Sequence, residues 1–165
     1  MKIRINPIQA EDRSFISNIV KDLWGDEMIV VHGDVFHTTD LEGINAIIDG
    51  QIIGFLYYQY TDEEFEILTL ASLVERCGVG SALVKAAGKI ALDQNCKVLS
   101  VVTTNDNLNA LRFYQKRGFQ LTAIFPGSVN LSREIKPFIP EIGENNIPIR
   151  DEIRLEKSIS QTKKE

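Results

Sequence analysis

A short glycine-containing segment, ERCGVG at residues 75–80, is the first place where residue types and spacing suggest chemistry. It follows a run of β-favouring residues and precedes a segment with helical spacing. Where a strand leads into a helix, the first helical N–H groups lack intrahelical partners and lie at the positive end of the helix dipole. Gly78 and Gly80 would let an anion approach these groups, and phosphate is the usual one. A tight turn or a close-packing point explains a Gly-x-Gly pair equally well.

Other ligand classes fit the sequence less well. A dinucleotide fingerprint needs a third glycine where this chain has Leu83, and a Walker loop needs a Gly-Lys-Ser/Thr ending. His32 and His37 are five residues apart, with Asp34 between them, but this is no common metal-ligand spacing and no third strong ligand is evident. We therefore expect no metal, and a place at the lip of a substrate pocket suits the two histidines better.

The elements that would position these residues can be predicted from the hydrophobic pattern. A strand at residues 3–6 precedes an amphipathic helix ended by Gly25, and one or two extended pieces surround Gly33. Turn signals at residues 49–50 and 61–62 separate β-rich runs. Three consecutive antiparallel strands are therefore expected.

Beyond this point helices and strands alternate. The expected order is a helix from near Gly80, a strand at residues 97–102, a helix ended by Gly118, a strand at 119–125, a proline-rich connection at 132–148 and a last strand at 151–159. The whole pattern predicts an α/β (α+β) fold with a central mixed, mostly antiparallel sheet of about six to seven strands, flanked by helices.

Length and composition predict one cytoplasmic domain. The chain has 165 residues, 44% of them apolar, which is enough for a single core. We expect this domain at residues 1–160 and a polar tail at 161–165. The sequence lacks a signal-peptide pattern and any apolar run near the ~18 residues that span a bilayer. Cys77 and Cys96 read as free thiols, and the net charge of −5 with scattered bases argues against nucleic acid.

Three segments together resemble the GNAT family of acetyl-coenzyme A-dependent N-acetyltransferases, from about residue 3 to residue 119. They are EILTL followed by VERCGVGSAL, the strand KVLSVV, and NLNALRFYQKRGF. The two glycines of the family's phosphate loop match, whereas Glu75 stands where the family has glutamine or arginine. The family's second signature is met by Asn107, Ala110, Tyr114, Gly118 and Phe119.

The resemblance implies transfer of an acetyl group from acetyl-coenzyme A, as cosubstrate, to a primary amine by direct attack in a ternary complex. The pantetheine arm would pair with the strand at residues 65–70, and backbone donors around Gly78, helped by Arg76, would bind phosphate. Tyr114 would give its proton to the coenzyme A sulfur, unless it only covers the seam between helix and sheet. The implied cofactor-binding residues are Leu68, Leu70, Arg76, Gly78, Val79, Gly80, Ser81, Asn107, Ala110 and Tyr114.

Glu66 is the candidate catalytic base. Regular strand alternation places it on the same face as Leu68 and Leu70, roughly 13 Å along the strand from Leu70. A proton would therefore pass to Glu66 through water. A solvated acid in the run TDEEFE is an equally good explanation.

Two other classes of function remain open. A non-catalytic acyl-coenzyme A-binding module would keep the loop without a working acid and base, and an interaction protein would keep only the fold, which the Glu75 departure favours. The expected acceptor is a small-molecule amine or a peptide, with no nucleic acid and no membrane partner, and a homodimer is possible. Acidic residues within 22–40 and 134–144 favour an acceptor that is cationic or neutral.

Overall fold

The computed structural model describes residues 2–160. These residues form two compact units. The first unit comprises residues 2–29, 36–99 and 159–160, and the second comprises residues 30–35 and 100–158. The single domain expected at residues 1–160 stays a prediction, and the polar tail expected at 161–165 lies outside the described residues. Within residues 2–160, no helix is both long and apolar enough to cross a membrane.

The first unit begins with a strand, followed by a helix that ends at a glycine. β1 (Arg4–Pro7) leads into α1 (Ala10–Trp24), and Gly25 after it has a φ of 81°. This left-handed backbone brings the Gly25 N–H to the carbonyl oxygen of Lys21 at 2.7 Å, which satisfies an acceptor that the helix end leaves unpaired. The predicted end of the helix is confirmed.

A short hairpin follows α1. Its strands are β2 (Met28–Val31) and β3 (Asp34–His37), which pair with each other in a two-stranded sheet. They are joined by His32 and Gly33, with φ values of 54° and 79°. These are the two extended pieces that the sequence predicted around Gly33. Residues 30–35, at the tip of the hairpin, belong to the second unit.

Three antiparallel strands form the centre of the first unit, as predicted. They are β4 (Glu42–Ile48), β5 (Gln51–Tyr60) and β6 (Glu64–Ser72). The turn between β4 and β5 has positive φ at Asp49 and Gly50, 50° and 79°, which suits the twist of a two-residue hairpin. β1 pairs antiparallel with β4, so the strand order in this unit is β1-β4-β5-β6.

Apolar residues of α1 and the sheet form a core in the first unit. Ile16 and Val20 of α1 are fully buried and cluster with Phe55, Tyr57 and Ala71. Fully burying one side chain of this size contributes roughly 1.5–3 kcal/mol relative to exposure. This packing fixes the face of β5 and β6 that α1 covers.

The start of α2 (Val79–Asp93) packs closely on β5 at Gly54. A Cβ atom at Gly54 would lie 2.5 Å from Cγ1 of Val79 and 2.8 Å from the carbonyl oxygen of Ala71. Because real Cβ atoms do not make contacts this short, residue 54 must be glycine for the helix to approach the strand here. The position of the α2 N-terminus therefore depends on a residue outside the ERCGVG segment.

The second unit holds the remaining elements. They are β7 (Val98–Thr104), which begins at the end of the first unit, α3 (Leu108–Gln115), β8 (Gln120–Phe125), α4 (Val129–Ile135) and β9 (Glu152–Ser158). The strand order is β7-β9-β8, and β8 and β9 are antiparallel. Apart from α4, each of these elements was expected from the sequence.

Helix α4 replaces the start of the predicted irregular connection at residues 132–148. Its Leu131 and Ile135 are 51% and 36% exposed, whereas the buried positions are Val129 and Ser132. Apolar spacing therefore does not mark the buried face, and Pro137, two residues after the end of the helix, is typical of a loop. The connection prediction was wrong for residues 132–135.

The predicted fold class is confirmed. Leaving β2 and β3 aside, the described chain has seven sheet strands. The pairs of β1 with β4, β4 with β5, β5 with β6, and β8 with β9 are all antiparallel. Helices are interspersed with these strands along the chain.

Candidate active site

The turn before α2 leaves the start of the helix open. Gly78 is the N-cap, with a φ of 76°, and no side chain caps the helix. Arg76, two residues earlier, also has a positive φ of 59°. Alternating backbone of this kind directs successive N–H groups to one side and makes an anion-binding concavity. Residues 72–78 are exposed, and the first turn of α2 contains no acidic side chain that would compensate the helix dipole.

Gly78 and Gly80 have different surroundings at the start of α2. A Cβ atom on Gly78 would meet nothing within 4 Å, so glycine is required there by its left-handed backbone alone. Gly80 lies within the helix and is buried, next to Val79, which is 1% exposed. The Ala82 N–H donates to the carbonyl oxygen of Gly78 at 3.0 Å and closes the first turn. Gly80 is the second residue of α2, and its predicted contribution of a backbone N–H to phosphate binding stays a prediction.

Strand β6 contains a β-bulge at Leu68. Tyr57 of β5 lies opposite Thr69, whereas Tyr58 lies opposite Ile67, so Leu68 has no partner residue in β5. A bulge leaves backbone groups out of the ladder and is common beside binding sites. Of the two implied contacts for the pantetheine arm, Leu68 lies where the strand departs from regular pairing, and Leu70 lies opposite Leu56 two residues further on.

The bulge also overturns the expected position of Glu66. Residues opposite each other in an antiparallel pair share a face. Glu66 lies opposite Gln59, on the Tyr57 face, whereas Leu70 lies opposite Leu56, on the other face. The prediction that Glu66 and Leu70 share a face was wrong, because the extra residue reverses the alternation. The Glu66 carboxylate accepts a hydrogen bond from Nε2 of Gln59 at 2.8 Å.

Helix α3, in the second unit, begins with a side-chain cap. Oδ1 of Asn107 accepts from the N–H of Ala110 at 3.1 Å. This is the bond between an N-cap side chain and the third helical residue, and it explains the Asn-x-x-Ala spacing by helix stability alone. The side-chain oxygen of Asn107 therefore already accepts a hydrogen bond from within the helix. At the other end Gly118 has a φ of 89°, as its predicted stop role requires.

Tyr114 is the most buried side chain of α3. It is 5% exposed, and its ring packs edge-on against Phe113 and Phe119, with centroids 5.0 and 5.2 Å apart. Burial raises the pKa of Tyr114 well above its usual value, and the charge of Arg117 opposes this only in part. The phenol therefore keeps its proton at neutral pH, as a proton donor must.

The two histidines do not lie together with a third ligand. The ring of His32 packs edge-on against Phe125 at 4.7 Å, whereas His37 is exposed just before a short 3₁₀ turn. Among residues 2–160 there is no group of three or more histidine, cysteine, aspartate or glutamate side chains that could hold a metal.

The predicted site residues thus fall into two groups. The first unit holds the β6 residues and the turn with the start of α2, and the second holds α3 with Tyr114. Sequence reasoning missed two features, the bulge at Leu68 and the contact at Gly54. A lone glycine inside the run QIIGFLYYQY was a usable signal for close backbone approach. The segment EFEILTLAS has no residue pattern that predicts a bulge.

The family model described as the acetyltransferase (GNAT) family matches residues 8–119. This range is more than half of the chain and contains the α2 turn, β6 and α3. The chain belongs to the GNAT acetyltransferase family. The family prediction made from the sequence is confirmed.

Relatives of this GNAT protein occur in Bacillus subtilis. Over 137 residues it is 41% identical to the uncharacterized protein YdhI, covering 82% of this chain and 86% of YdhI. Over 158 residues it is 35% identical to the uncharacterized protein YxbD, covering 95% and 99%. Among solved structures, a GNAT family acetyltransferase from Elizabethkingia anophelis with acetyl-CoA bound matches with a TM-score of 0.69 and 26% identity, over 95% of this chain and 98% of that one.

Proposed function

We propose that the protein transfers the acetyl group of acetyl-coenzyme A to a primary amine. The observation that carries this proposal is the open start of α2, where Gly78 has a left-handed backbone and no side chain caps the helix. Such a helix start binds a diphosphate through backbone N–H groups. The Elizabethkingia relative, which has acetyl-CoA bound, supports coenzyme A as the diphosphate ligand.

The backbone of β6 is proposed to hold the thioester. Its bulge leaves Leu68 without a partner residue in β5, and the backbone N–H of Leu68 or of Leu70 would polarise the thioester carbonyl. The amine nitrogen attacks the carbonyl carbon, the carbon–sulfur bond breaks, and its electron pair goes to the sulfur. Tyr114 then donates its phenolic proton to the thiolate, and the acetylated nitrogen loses a proton.

Glu66 and bulk solvent are both candidates for the group that accepts the proton of the amine. The hydrogen bond from Gln59 already occupies one oxygen of the Glu66 carboxylate. Glu66→Gln separates them. If Glu66 is the base, the rate with a fixed amine falls about 10²-fold at neutral pH and recovers as rising pH deprotonates the amine in solution. An unchanged pH–rate profile would assign the role to solvent.

The test of the function is release of free coenzyme A from acetyl-coenzyme A in the presence of amines. A panel of amino acids, polyamines, aminoglycosides and peptide N-termini covers the acceptor classes, and mass spectrometry of the product shows which nitrogen gains the acetyl group. We expect amine-dependent release. Acetyl-coenzyme A binding without release for any amine would reject transfer by this protein.

A non-catalytic acyl-coenzyme A-binding module is the second candidate. The burial of Tyr114 favours it, because a phenol that is 5% exposed and packed between two rings also fits a purely structural role. Both candidates predict binding of acetyl-coenzyme A. Only the transferase predicts release that depends on an amine, so the same assay decides between them.

A further inference from the structure

Helix α3 has few interactions of its own to hold it in place. It is eight residues long, Leu108–Gln115, and Tyr114 is its only buried residue. An isolated helix shorter than about 12–15 residues is marginal in water, so such a helix depends on tertiary contacts. The position of Tyr114 therefore depends on how the ends of α3 are held.

Asp106, the residue before the N-cap Asn107, is buried at the start of α3 and is 4% exposed. Its Oδ1 accepts from the hydroxyl of Thr104 at 2.6 Å, and its Oδ2 accepts from the backbone N–H of Glu144 at 2.9 Å. Its carbonyl oxygen accepts from the N–H of Leu108, the first residue of α3, at 2.9 Å. Asp106 thus joins the first turn of α3 to a segment 38 residues further along the chain.

The segment around Glu144 fits closely against Asp106. A Cβ atom on Gly143 would clash with Oδ2 of Asp106 and would lie 2.5 Å from Cγ1 of Ile149. Nδ2 of Asn145 donates to the carbonyl oxygen of Asp106 at 3.3 Å, and Asn145 has a left-handed φ of 57°. A residue other than glycine keeps such a backbone only where its surroundings compensate the cost. The segment therefore complements Asp106 in shape as well as in hydrogen bonding.

Asn105 adds to the same connection. Its Oδ1 accepts from the backbone N–H groups of Arg150 and Asp151, both at 3.0 Å, and its Nδ2 donates to the carbonyl oxygen of Pro148 at 2.9 Å. The two residues before the N-cap of α3 are thus held by side-chain hydrogen bonds to residues 144–151. All of these residues belong to the second unit.

We propose that Asp106 is a positioning residue for acetyl transfer, which fixes the start of α3 and, through the helix, the place of the Tyr114 hydroxyl. This inference rests on the proposed function, in which Tyr114 gives its proton to the thiolate. Tyr114 lies six residues after Leu108, about 9 Å along the helix axis. A change of direction at the start of the helix therefore displaces the hydroxyl, and a displacement of about 1 Å can lower a rate by about 10²-fold.

The test is Asp106→Asn, which keeps the size of the side chain but leaves one acceptor oxygen for the two donors, Thr104 and Glu144. We expect kcat for amine-dependent release of coenzyme A to fall at least about tenfold, with KM for acetyl-coenzyme A nearly unchanged. The matched control is Asp151→Asn, where Oδ1 accepts from the N–H of Gly127 at 2.8 Å in the same unit. It should keep kcat. An unchanged kcat in Asp106→Asn, or an equal fall in both variants, would overturn the proposal.

A double-mutant cycle with Tyr114→Phe measures whether Asp106 acts through Tyr114. In the Tyr114→Phe protein, Asp106→Asn should lower kcat by less than about twofold, because the hydroxyl that Asp106 positions is already absent. The full loss in both backgrounds would assign Asp106 to stability or to another step, and would overturn the proposal.

Gly143→Ala reaches the same contact from the other side and serves if Asp106→Asn does not fold by circular dichroism. The added methyl group would push its segment away from Asp106 and leave the carboxylate itself unchanged. We expect the same fall in kcat at an unchanged KM. A folded Gly143→Ala protein with the kcat of the unmodified chain would count against the proposal.

Hydrogen exchange separates failure of this inference from failure of the proposed function. In Asp106→Asn the backbone amides of α3 should exchange at least about tenfold faster than in the unmodified protein, whereas those of β9 should change little. Faster exchange in α3 without coenzyme A release for any amine would reject acetyl transfer, while showing that Asp106 anchors the helix. Release with unchanged exchange and unchanged kcat would reject the role of Asp106 and leave acetyl transfer standing.

Discussion

The starts of α2 and α3 solve the same problem in opposite ways. Each helix follows a strand and a short turn, and each must deal with N–H groups that have no intrahelical partner. In α3 the side chain of Asn107 fills this role from within the chain. In α2 the N-cap is Gly78, which has no side chain to offer. A capped start stabilises a helix, whereas an uncapped start with a left-handed glycine keeps its donors for a ligand.

The comparison predicts different chemistry for the two regions. The α2 region would act through backbone groups, so its function should depend on backbone conformation and tolerate changes in neighbouring side chains. The α3 region would act through the hydroxyl of Tyr114, so its function should depend on one atom. Substitutions that separate binding from turnover test this division.

The largest effect is expected for Tyr114→Phe. This change removes only the hydroxyl and keeps the ring packing against Phe113 and Phe119. Turnover should fall on the order of 10²-fold, the usual scale for one general acid, with binding of acetyl-coenzyme A nearly unchanged. Steady-state release of coenzyme A and calorimetric binding measure the two quantities. Equal turnover would return Tyr114 to a structural role.

Gly78→Val should weaken coenzyme A binding by at least about tenfold, the equivalent of one lost charge-assisted hydrogen bond. The matched control is Gly50→Val. Both glycines have positive φ, 76° and 79°, and a Cβ atom on either would meet nothing within 4 Å. The two variants should therefore lose similar stability, about 1–2 kcal/mol of backbone strain. Loss of binding in both, or in neither, would break the contrast between the two helix starts.

Asn107→Ala should act on stability and spare the α2 site. Removing an N-cap side chain costs about 1 kcal/mol of unfolding free energy. Because Oδ1 of Asn107 is used by the N–H of Ala110, coenzyme A should still shift the melting temperature by nearly the same amount. A large loss of coenzyme A affinity at unchanged stability would give Asn107 the direct cofactor contact that the family resemblance implies.

The smallest effect concerns alkaline pH. Burial raises the pKa of Tyr114 above its unfolded value of about 10, so this residue contributes stability that is fully present below pH ~10. The contribution is lost as pH rises from there toward the folded pKa. Tyr58 behaves in the same way, since burial, aided by Glu42, raises its pKa to about 12. Urea unfolding at pH 8, 10 and 11 should show a shallower decline for Tyr114→Phe than for the unmodified chain.

Local signals in the sequence predicted most of the fold. The glycine after α1, the Asp49-Gly50 turn and the apolar runs of β5 and β7 each depend on neighbours within a few residues, so the pattern alone specified them. Helix α4 was missed because its exposed leucine and isoleucine do not follow its buried face. The glycine motif before α2 could also be predicted, because it too depends on residues a few positions apart.

The sequence by itself determined the family, the α2 turn and the helix that carries Tyr114, because these depend on residue types at fixed short spacings. Only the tertiary structure decided which face of β6 carries Glu66, since one bulged residue at Leu68 reverses every later position. It also decided that Gly80 is buried and that residue 54 must be glycine for α2 to approach β5. The hydrogen bond between Asp106 and Glu144 is of the same kind, because it exists only once two segments 38 residues apart in the sequence meet.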